Sequence, residues 1–310
     1  MMENKRKRIW KGFWQLADPK IWIASTIPML IGAAMAFSRK GRLNIYWFIW
    51  TIIGIYMIEI GKNAINEIVD YNSGVDRYVT PEERTPFSGG KKTIVDGLLN
   101  TKETKIIAFL TMTAGSLIGL YICFYHEPSI IWIGLSGFIF SIIYSVPPFK
   151  LAYRGLGELT VGLTFGPLIV LGTYMVQTGS ISLPVILVSL PVGFLIANVL
   201  WINQYPDYKA DKKGKKYNWV VRLGKQKGVK IYALLFAASY LSLIIITIFT
   251  GNPIWLLPFV SLPLVYQAVK VAGKHYDNIA KLIKANARTV QVYQIFGLCL
   301  IIAAIAEKFI

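Results

Sequence analysis

Nine long apolar stretches, separated by polar connections, most restrict what this chain can fold into. A bilayer core of about 30 Å is crossed by about 20 mostly apolar helical residues. Charged residues make up only 16% of the sequence, whereas they are about a quarter of a soluble domain. We therefore predict an all-α fold, a polytopic membrane bundle of about nine transmembrane helices in a single domain over residues 1–310. The stretches are approximately 21–37, 45–66, 106–124, 130–147, 156–176, 183–202, 231–249, 254–271 and 290–305.

The basic residues are distributed unevenly among the connections. Nine Lys or Arg lie between Lys209 and Lys230, and six precede the first apolar stretch. No Lys or Arg is found in 126–128, 177–182 and 250–253. Because basic residues concentrate in cytoplasmic connections, we expect a plasma-membrane protein with a cytosolic N-terminus and a C-terminus outside.

The N-terminal segment 1–20 is strongly basic. The apolar stretch after it is too long for a signal peptide, and a small-residue cleavage site is lacking, so we interpret this segment as a cytosolic flank. Together with the other cytosolic connections it accounts for the net charge of +17. Such a rim attracts anionic headgroups and anionic substrates. The lipid bilayer is thus an expected partner, and nucleic acid is not.

Two hexapeptides share the pattern N-x-x-x-D-Y and lie where apolar stretches end. They cover residues 66–71 and 203–208, 137 positions apart (203 minus 66), and a further acid follows each, Asp76 and Asp211. Four predicted helices separate the hexapeptides, so both emerge on the same, cytosolic face. We expect the connections 67–105 and 204–230 to form the active-site loops, with 67–105 long enough to act as a lid.

Helical spacing gathers the polar residues of these motifs on one side of each helix. Glu59, Asn63, Asn66 and Asp70 follow at intervals of four, three and four, which places them on one face. Ionisable groups at membrane depth are costly and usually face a cavity or pathway. Asn203, Asp207 and Asp211 recur every four residues on the sixth predicted helix, where we expect Pro206 to kink or end the helix.

Four facing carboxylates would repel one another unless cations lay between them. Mg²⁺ prefers oxygen ligands and is usually held by one or two carboxylates together with substrate phosphates. Zinc would favour His or Cys, whereas His126, His275 and both cysteines are isolated in the sequence. We therefore predict a Mg²⁺ site. Its candidate ligands, which include the catalytic aspartates, are Asn66, Asp70, Asp76, Asp207 and Asp211, and Asn203 is a candidate substrate ligand.

A phosphorylated substrate also needs positive groups. Arg84 lies in a Gly- and Pro-rich loop after the first motif, and Lys212 follows Asp211 directly. The stretch 144–158 contributes Tyr144, Lys150 and Arg154 on the same face. We predict that these five residues bind substrate. The alternative is that the lysines and arginines are solvated charges at the membrane interface.

Taken together, these motifs resemble the intramembrane prenyltransferases of the UbiA superfamily. The resemblance rests on N-x-x-x-D-x-x-x-x-x-D after the second predicted helix, N-x-x-x-D-x-x-x-D after the sixth, and Tyr-Ser-Val-Pro-Pro with Arg-Gly-Leu-Gly-Glu between the fourth and fifth. It implies that the aspartate motifs bind a polyprenyl diphosphate through Mg²⁺, and that the tail lies in an apolar cavity. A small aromatic acceptor would then receive the prenyl group.

The spacing between Asp70 and Asp76 and the stretch 166–179 are similar to 1,4-dihydroxy-2-naphthoate prenyltransferases of menaquinone biosynthesis. Residues 144–148 and the loop 84–90 are similar to other branches instead, so other acceptors remain open. These are 4-hydroxybenzoate, a glycerol phosphate lipid or haem. Two other classes are also considered, a cation-coupled transporter and a noncatalytic lipid-binding or scaffold protein. A transporter would place its acids at the bilayer midplane, whereas here the acids lie at helix ends beside cationic loops.

Overall fold

The structure, a computed structural model, describes residues 2–87 and 90–309. Within those ranges the regular secondary structure is helical throughout. The helices are α1 (Met2–Ala17), α2 (Ile23–Lys40), α3 (Ile45–Ser73), α4 (Val75–Tyr78), α5 (Thr101–Tyr125), α6 (Ile130–Ile143), α7 (Gly157–Leu163), α8 (Ile169–Thr178), α9 (Leu183–Lys213), α10 (Trp219–Leu223), α11 (Lys225–Thr250), α12 (Leu262–His275) and α13 (Ile279–Ala306). A π-helical segment, Thr164–Leu168, joins α7 to α8, and a 3₁₀ segment, Pro253–Ser261, precedes α12.

Seven helical spans in the described ranges are long and apolar enough to cross a membrane. They are α3, α5, α7 through α8, α9, α11, the 3₁₀ segment with α12, and α13. The helix α2 qualifies only together with α1, from which it is bent by 49°, and α6 has only 14 residues. The predicted all-α membrane fold is confirmed, but the count of nine transmembrane helices is not.

Asparagine side chains start several of these helices. A helix leaves its first N–H groups without intrahelical partners, and an Asn oxygen can accept from one of them. Five helical segments begin this way in the structure, with the Asn oxygen accepting a backbone N–H two or three residues later. The five residues are Asn44, Asn100, Asn218, Asn252 and Asn278.

The long helix α9 is the centre of the bundle, because it packs against α7, α10, α11 and α13. Its buried residues Leu195, Trp201 and Tyr205 belong to the main hydrophobic cluster. Close approach on one side depends on glycine. A Cβ placed on Gly166 would lie 2.6 Å from the Cα of Gly193, so only glycine fits there. Small residues at such an interface let two helices approach closely.

Pro206 does not end a helix, contrary to one sequence-based expectation. The helix α9 continues through it to Lys213. A proline lacks the N–H that would bond to the carbonyl four residues earlier, here that of Ile202. The side chain of Asn286 on α13 donates to this carbonyl at 3.1 Å. A tertiary contact thus satisfies the group that Pro206 leaves without a partner.

The two segments expected to be loops, 67–105 and 204–230, are partly helical, because the helices that carry the aspartate motifs extend into them. The helix α3 extends to Ser73, and Gly74 ends it with a positive φ of 86°, a conformation that glycine adopts readily. In the second segment, α9 reaches Lys213 and α10 and α11 follow. In these two segments the irregular parts that the structure describes are therefore mainly 79–87, 90–99 and 214–218.

Candidate active site

Asp70 lies at the centre of a hydrogen-bond network between the two aspartate motifs. Its side chain is 1% exposed. One carboxylate oxygen, Oδ2, accepts from Asn66 Nδ2 at 3.0 Å and from Lys216 Nζ at 2.9 Å. The other, Oδ1, accepts from the hydroxyl of Tyr153 at 2.6 Å. Three donors thus fix both oxygens of this carboxylate.

Lys216 connects the first motif to the second. Its ammonium nitrogen is also 4.0 Å from Asp211 Oδ1, while Asp211 Oδ2 accepts from Asn218 Nδ2 at 2.7 Å. Burial alone would lower the pKa of Lys216, but the charges of Asp70 and Asp211 raise it well above its ordinary value. Lys216 is therefore a fixed cation, and the two motifs lie on either side of it.

Asp76 is a buried carboxylate near two other acids. Burial, followed by the charges of Asp70 and Glu67, raises its pKa to about 8. Its Oδ2 is buried without a hydrogen-bond partner within residues 2–87 and 90–309. The backbone of Gly90 lies directly over Oδ1, so a Cβ at this position would clash with that oxygen. The side chain thus presents an oxygen that a cation could coordinate.

The buried carboxylates of this site fit a Mg²⁺ ion that is also bound by a phosphorylated ligand. They fit less well a metal site in which the protein supplies every ligand. In the described part of the chain, no three His, Cys, Asp or Glu side chains are arranged to hold a metal ion by themselves. Mg²⁺ usually takes one or two carboxylates and completes its shell with water and substrate phosphates. Asp70, Asp76 and Asp211 are buried oxygen donors, and Lys216 contacts two of them, Asp70 and Asp211. The partnerless oxygen of Asp76 is available to a cation.

Glu67, the second residue of the first hexapeptide, anchors the loop that follows. Its Oε2 accepts the backbone N–H groups of Lys91 and Lys92 at 3.1 and 2.9 Å. Its Oε1 accepts the Thr93 hydroxyl and the Ile94 N–H, both at 3.0 Å. Lys91 is further tied to Asp18 at 2.7 Å. Segment 90–94 is therefore held against the acidic cluster by a single buried carboxylate.

The other predicted site residues take various positions. Asn203 Oδ1 accepts from Asn286 at 2.8 Å. Lys150 Nζ lies 4.2 Å from the ring centre of Tyr153. The remaining three basic residues are exposed: Lys212 at the end of α9, Arg154 beside α7, and Arg84, which pairs with Asp96 at 2.8 Å. Their contact with substrate stays a prediction.

Four residues of this cluster did not stand out in the sequence as site residues: Glu67, Tyr153, Lys216 and Asn218. Lys216 is one of several lysines after Asp211, and the chain turn at Gly214 selects it, since Lys216 N donates to Asp211 O at 2.8 Å. Tyr153 lies in the polar connection before α7. Its hydroxyl contacts both Asp70 and Ser73. No spacing rule relates Tyr153, Lys216 or Asn218 to the hexapeptides, and the N-x-x-x-D-Y pattern leaves the position of Glu67 unspecified.

An apolar cavity of about 360 Å³ adjoins the acidic cluster. Helices α3, α5 and α6 and the span from α7 through α8 line it, mostly with aliphatic and glycine residues. Tyr144 belongs to this lining. Burial, followed by the charge of Glu158 and then of Asp70 and Asp211, raises the pKa of Tyr144. Tyr144 also packs against the small cluster that contains Tyr153, whose hydroxyl donates to Asp70, so it connects the cavity to the acidic cluster.

Comparison with known proteins agrees with this geometry. The UbiA prenyltransferase family profile matches residues 25–290. The 1,4-dihydroxy-2-naphthoate octaprenyltransferase of Bacillus subtilis is 28% identical over 297 residues, covering 96% of this chain and 93% of that protein. The Haemophilus influenzae protein of the same name is 28% identical over 247 residues, 77% of each. A UbiA homolog from Archaeoglobus fulgidus, solved bound to GPP and Mg²⁺, shares the fold with a TM-score of 0.69 and 16% identity, covering 96% and 100% of the two chains.

Proposed function

This chain belongs to the UbiA prenyltransferase family, and from that premise we propose that it transfers a polyprenyl group from its diphosphate to 1,4-dihydroxy-2-naphthoate in menaquinone biosynthesis. Membership of the family makes it a prenyltransferase and an integral membrane protein rather than a transporter or a scaffold. The observation that carries the proposal is the junction at Tyr144. This residue lines an apolar cavity fit for a prenyl tail and packs against the cluster of Tyr153, which donates to the buried carboxylate of Asp70.

Asp70 and Asp76 would hold one Mg²⁺ and Asp207 and Asp211 another, with Asn66 beside the first pair. When bound, Mg²⁺ would neutralise the diphosphate and stabilise it as a leaving group. Asn203 and the basic residues Arg84, Lys150, Arg154 and Lys212, with Tyr144, are the proposed contacts to the substrates. The segments 67–105 and 204–230 would border the site, and 1–310 would act as one domain on the cytosolic side of the plasma membrane.

The residues around Asp70 prepare the site before substrate arrives. Asn66 and Tyr153 orient its carboxylate, and Lys216 supplies the positive charge that the buried acids need. The cavity would shield the allylic carbon from water while its bond to the diphosphate oxygen breaks. A ring carbon of the acceptor then forms the new carbon–carbon bond, and with dihydroxynaphthoate the carboxyl group leaves as CO₂.

A membrane assay tests this proposal. Membranes containing the protein are given geranylgeranyl or farnesyl diphosphate and one of several acceptors, with Mg²⁺ or with EDTA. We expect prenylated product with dihydroxynaphthoate, none with EDTA, and none from Asp70→Asn or Asp207→Asn. Asp277→Asn is the matched control, because the side chain of Asp277 is 74% exposed. Product that persists in EDTA would contradict the proposed dependence on Mg²⁺. Product formed only with 4-hydroxybenzoate would contradict dihydroxynaphthoate as the acceptor.

A further inference from the structure

A second polar cluster lies inside the apolar cavity, apart from the aspartate motifs. Glu59 and Lys62, both on α3, line the cavity. Glu59 is 5% exposed, and its Oε2 accepts from the hydroxyl of Ser25 on α2 at 2.6 Å. Ionisable side chains in a membrane span are costly. An aliphatic cavity that served only to hold a prenyl tail would not need them.

Both side chains retain binding capacity toward the cavity. Glu59 Oε1 is buried and has no hydrogen-bond partner within the described part of the chain. No carboxylate oxygen in residues 2–87 or 90–309 lies within the 4.0 Å of an ion pair from Lys62 Nζ. This ammonium lies 5.9 Å from the ring centre of Phe165. A buried polar group without a partner is unfavourable. A ligand with a donor for Glu59 Oε1 and an anionic group for the Lys62 ammonium would remove this cost for both side chains.

The position of Lys62 along α3 indicates which ligand. Lys62, Asn66 and Asp70 are spaced by four residues and share one face of the helix. Eight residues of α-helix span about 12 Å, so Lys62 lies two turns below the carboxylate proposed to bind the diphosphate. The first carbons of a prenyl chain that runs from the diphosphate into the cavity would lie between the Asp70 carboxylate and this level. The acceptor ring must approach the same carbons to react.

We propose that Lys62 and Glu59 form the recognition site for an acidic aromatic acceptor, with Lys62 binding its carboxylate and Glu59 Oε1 accepting from the adjacent ring hydroxyl. This inference rests on the proposed function, since it concerns the acceptor of the same reaction. An ammonium and a carboxylate form a charge-assisted hydrogen bond, which is stronger than a neutral one. An ortho-hydroxy carboxylate offers both complementary groups on neighbouring carbons.

Equilibrium binding to purified protein in nanodiscs tests the role of Lys62. The probes are 1-hydroxy-2-naphthoate and 1-naphthol, which differ only by the carboxylate, measured without prenyl diphosphate. We expect the wild type to bind the carboxylated probe at least about tenfold more tightly. This preference should disappear in Lys62→Met, persist in Lys62→Arg, and be unchanged in the control Lys227→Met, whose lysine is exposed on α11.

A third probe, 2-naphthoate, tests Glu59. The wild type should bind 1-hydroxy-2-naphthoate more tightly than 2-naphthoate, and Glu59→Met should abolish that difference while keeping the preference for the carboxylate over 1-naphthol. Each comparison is a ratio of two dissociation constants on one preparation. A variant that is partly unfolded therefore still reports the ratio.

Three results would overturn the inference: a wild type without the carboxylate preference, a Lys62→Met variant that keeps it, or a Lys62→Met variant that loses affinity for farnesyl diphosphate instead. The last would place Lys62 on the diphosphate. The proposed function is judged separately, by whether wild-type membranes prenylate dihydroxynaphthoate. That assay uses wild-type protein and not the Lys62 or Glu59 variants.

Discussion

At the scale of single residues, Lys216 is the charge on which the acidic cluster depends. Its side chain is 17% exposed and contacts Asp70 and Asp211. Removing one partner of a buried ion pair costs about 3 kcal/mol or more, because the remaining charge has no compensation. In EDTA we expect Lys216→Met to have a clearly lower melting temperature than wild type. Mg²⁺ should raise the melting temperature of Lys216→Met by more than it raises that of wild type.

Thermal unfolding of the purified protein in detergent, with EDTA or with Mg²⁺, measures this effect. Lys215→Met is the matched control, since Lys215 is the neighbouring residue and is exposed. Equal melting temperatures for the two variants in EDTA would contradict the role assigned to Lys216.

Tyr153 positions Asp70 without needing to touch substrate. Its hydroxyl donates to Asp70 Oδ1 at 2.6 Å. Groups that orient a metal ligand typically contribute about 10- to 100-fold to metal affinity or activity. Tyr153→Phe should therefore raise the Mg²⁺ concentration for half-maximal activity by about tenfold or more. The measurement is a Mg²⁺ titration of prenyl transfer, and Tyr217→Phe, at an exposed tyrosine, should leave the titration unchanged.

Sequence spacing was sufficient to identify the aspartates but not their partners. Asp70 and Asp211 repeat at helical intervals in long helices, and such intervals can be read from the chain. Lys216 reaches them only because Gly214 ends α9 and Lys215 takes a positive φ of 58°, which turns the chain back. A local conformation of this kind selects one lysine out of a run and is not encoded by periodicity.

At the scale of secondary-structure elements, Glu67 joins α3 to the loop over the site. Four donors from 91–94 converge on its carboxylate, and hydrogen bonds to a charged group contribute about 1.5–3 kcal/mol each. In Glu67→Gln one oxygen becomes an NH₂ group that faces donors. We expect amide hydrogen exchange in 90–99 to accelerate about tenfold or more.

Hydrogen exchange with mass spectrometry on peptides from this loop provides the measurement. Glu82→Gln serves as the control, because Glu82 lies in the same connection but is exposed. Unchanged exchange in Glu67→Gln would mean that other contacts hold the loop.

The helix α6 should determine how much prenyl chain the cavity accepts. Gly134 and Gly137 line the cavity, and a Cβ built on either meets no described atom within 4 Å. Gly134→Leu would project side-chain atoms into space that the tail needs. We expect it to reduce kcat/KM for geranylgeranyl diphosphate more than for farnesyl diphosphate. Gly273→Leu, on the exposed face of α12 with equally open space, should leave the ratio of the two values unchanged.

The helix α9 continues through Pro206 with the help of a contact that local rules do not include. Proline usually ends or kinks a helix, and Pro206 was expected to do so. The compensating donor, Asn286, is 84 residues away in sequence. The sequence contains both residues, but only the packing of α13 on α9 relates them.

At the scale of the whole molecule, apolar stretches defined the membrane fold, whereas span number depended on length and bending. The short α6 and the bent pair of α1 and α2 each contain an apolar stretch that was counted as a span. Composition measures how apolar a stretch is, but it does not say where a helix begins or bends. The order of the helices along the chain still follows the order of the stretches.

For the whole molecule we predict an orientation in the bilayer that places the aspartate motifs on the cytosolic side. Basic residues cluster in the connections that contain the aspartate motifs, and the excess of Lys and Arg in short connections favours retention on the cytosolic side. The two native cysteines, Cys123 and Cys299, are buried, so a single introduced cysteine can report the side on which it lies. Ser129→Cys would place it at an exposed position in a connection without Lys or Arg, and Lys227→Cys at an exposed position in the basic first turn of α11.

With a membrane-impermeant maleimide on intact cells, we expect Ser129→Cys to be labelled and Lys227→Cys to be labelled only after permeabilisation. Labelling of wild type sets the background from the buried cysteines. The reverse pattern would place the acidic cluster outside the cytosol. Because the contacts among Asp70, Tyr153 and Lys216 do not depend on the direction of insertion, that outcome would change the side from which diphosphate must enter and leave the chemistry of the site intact.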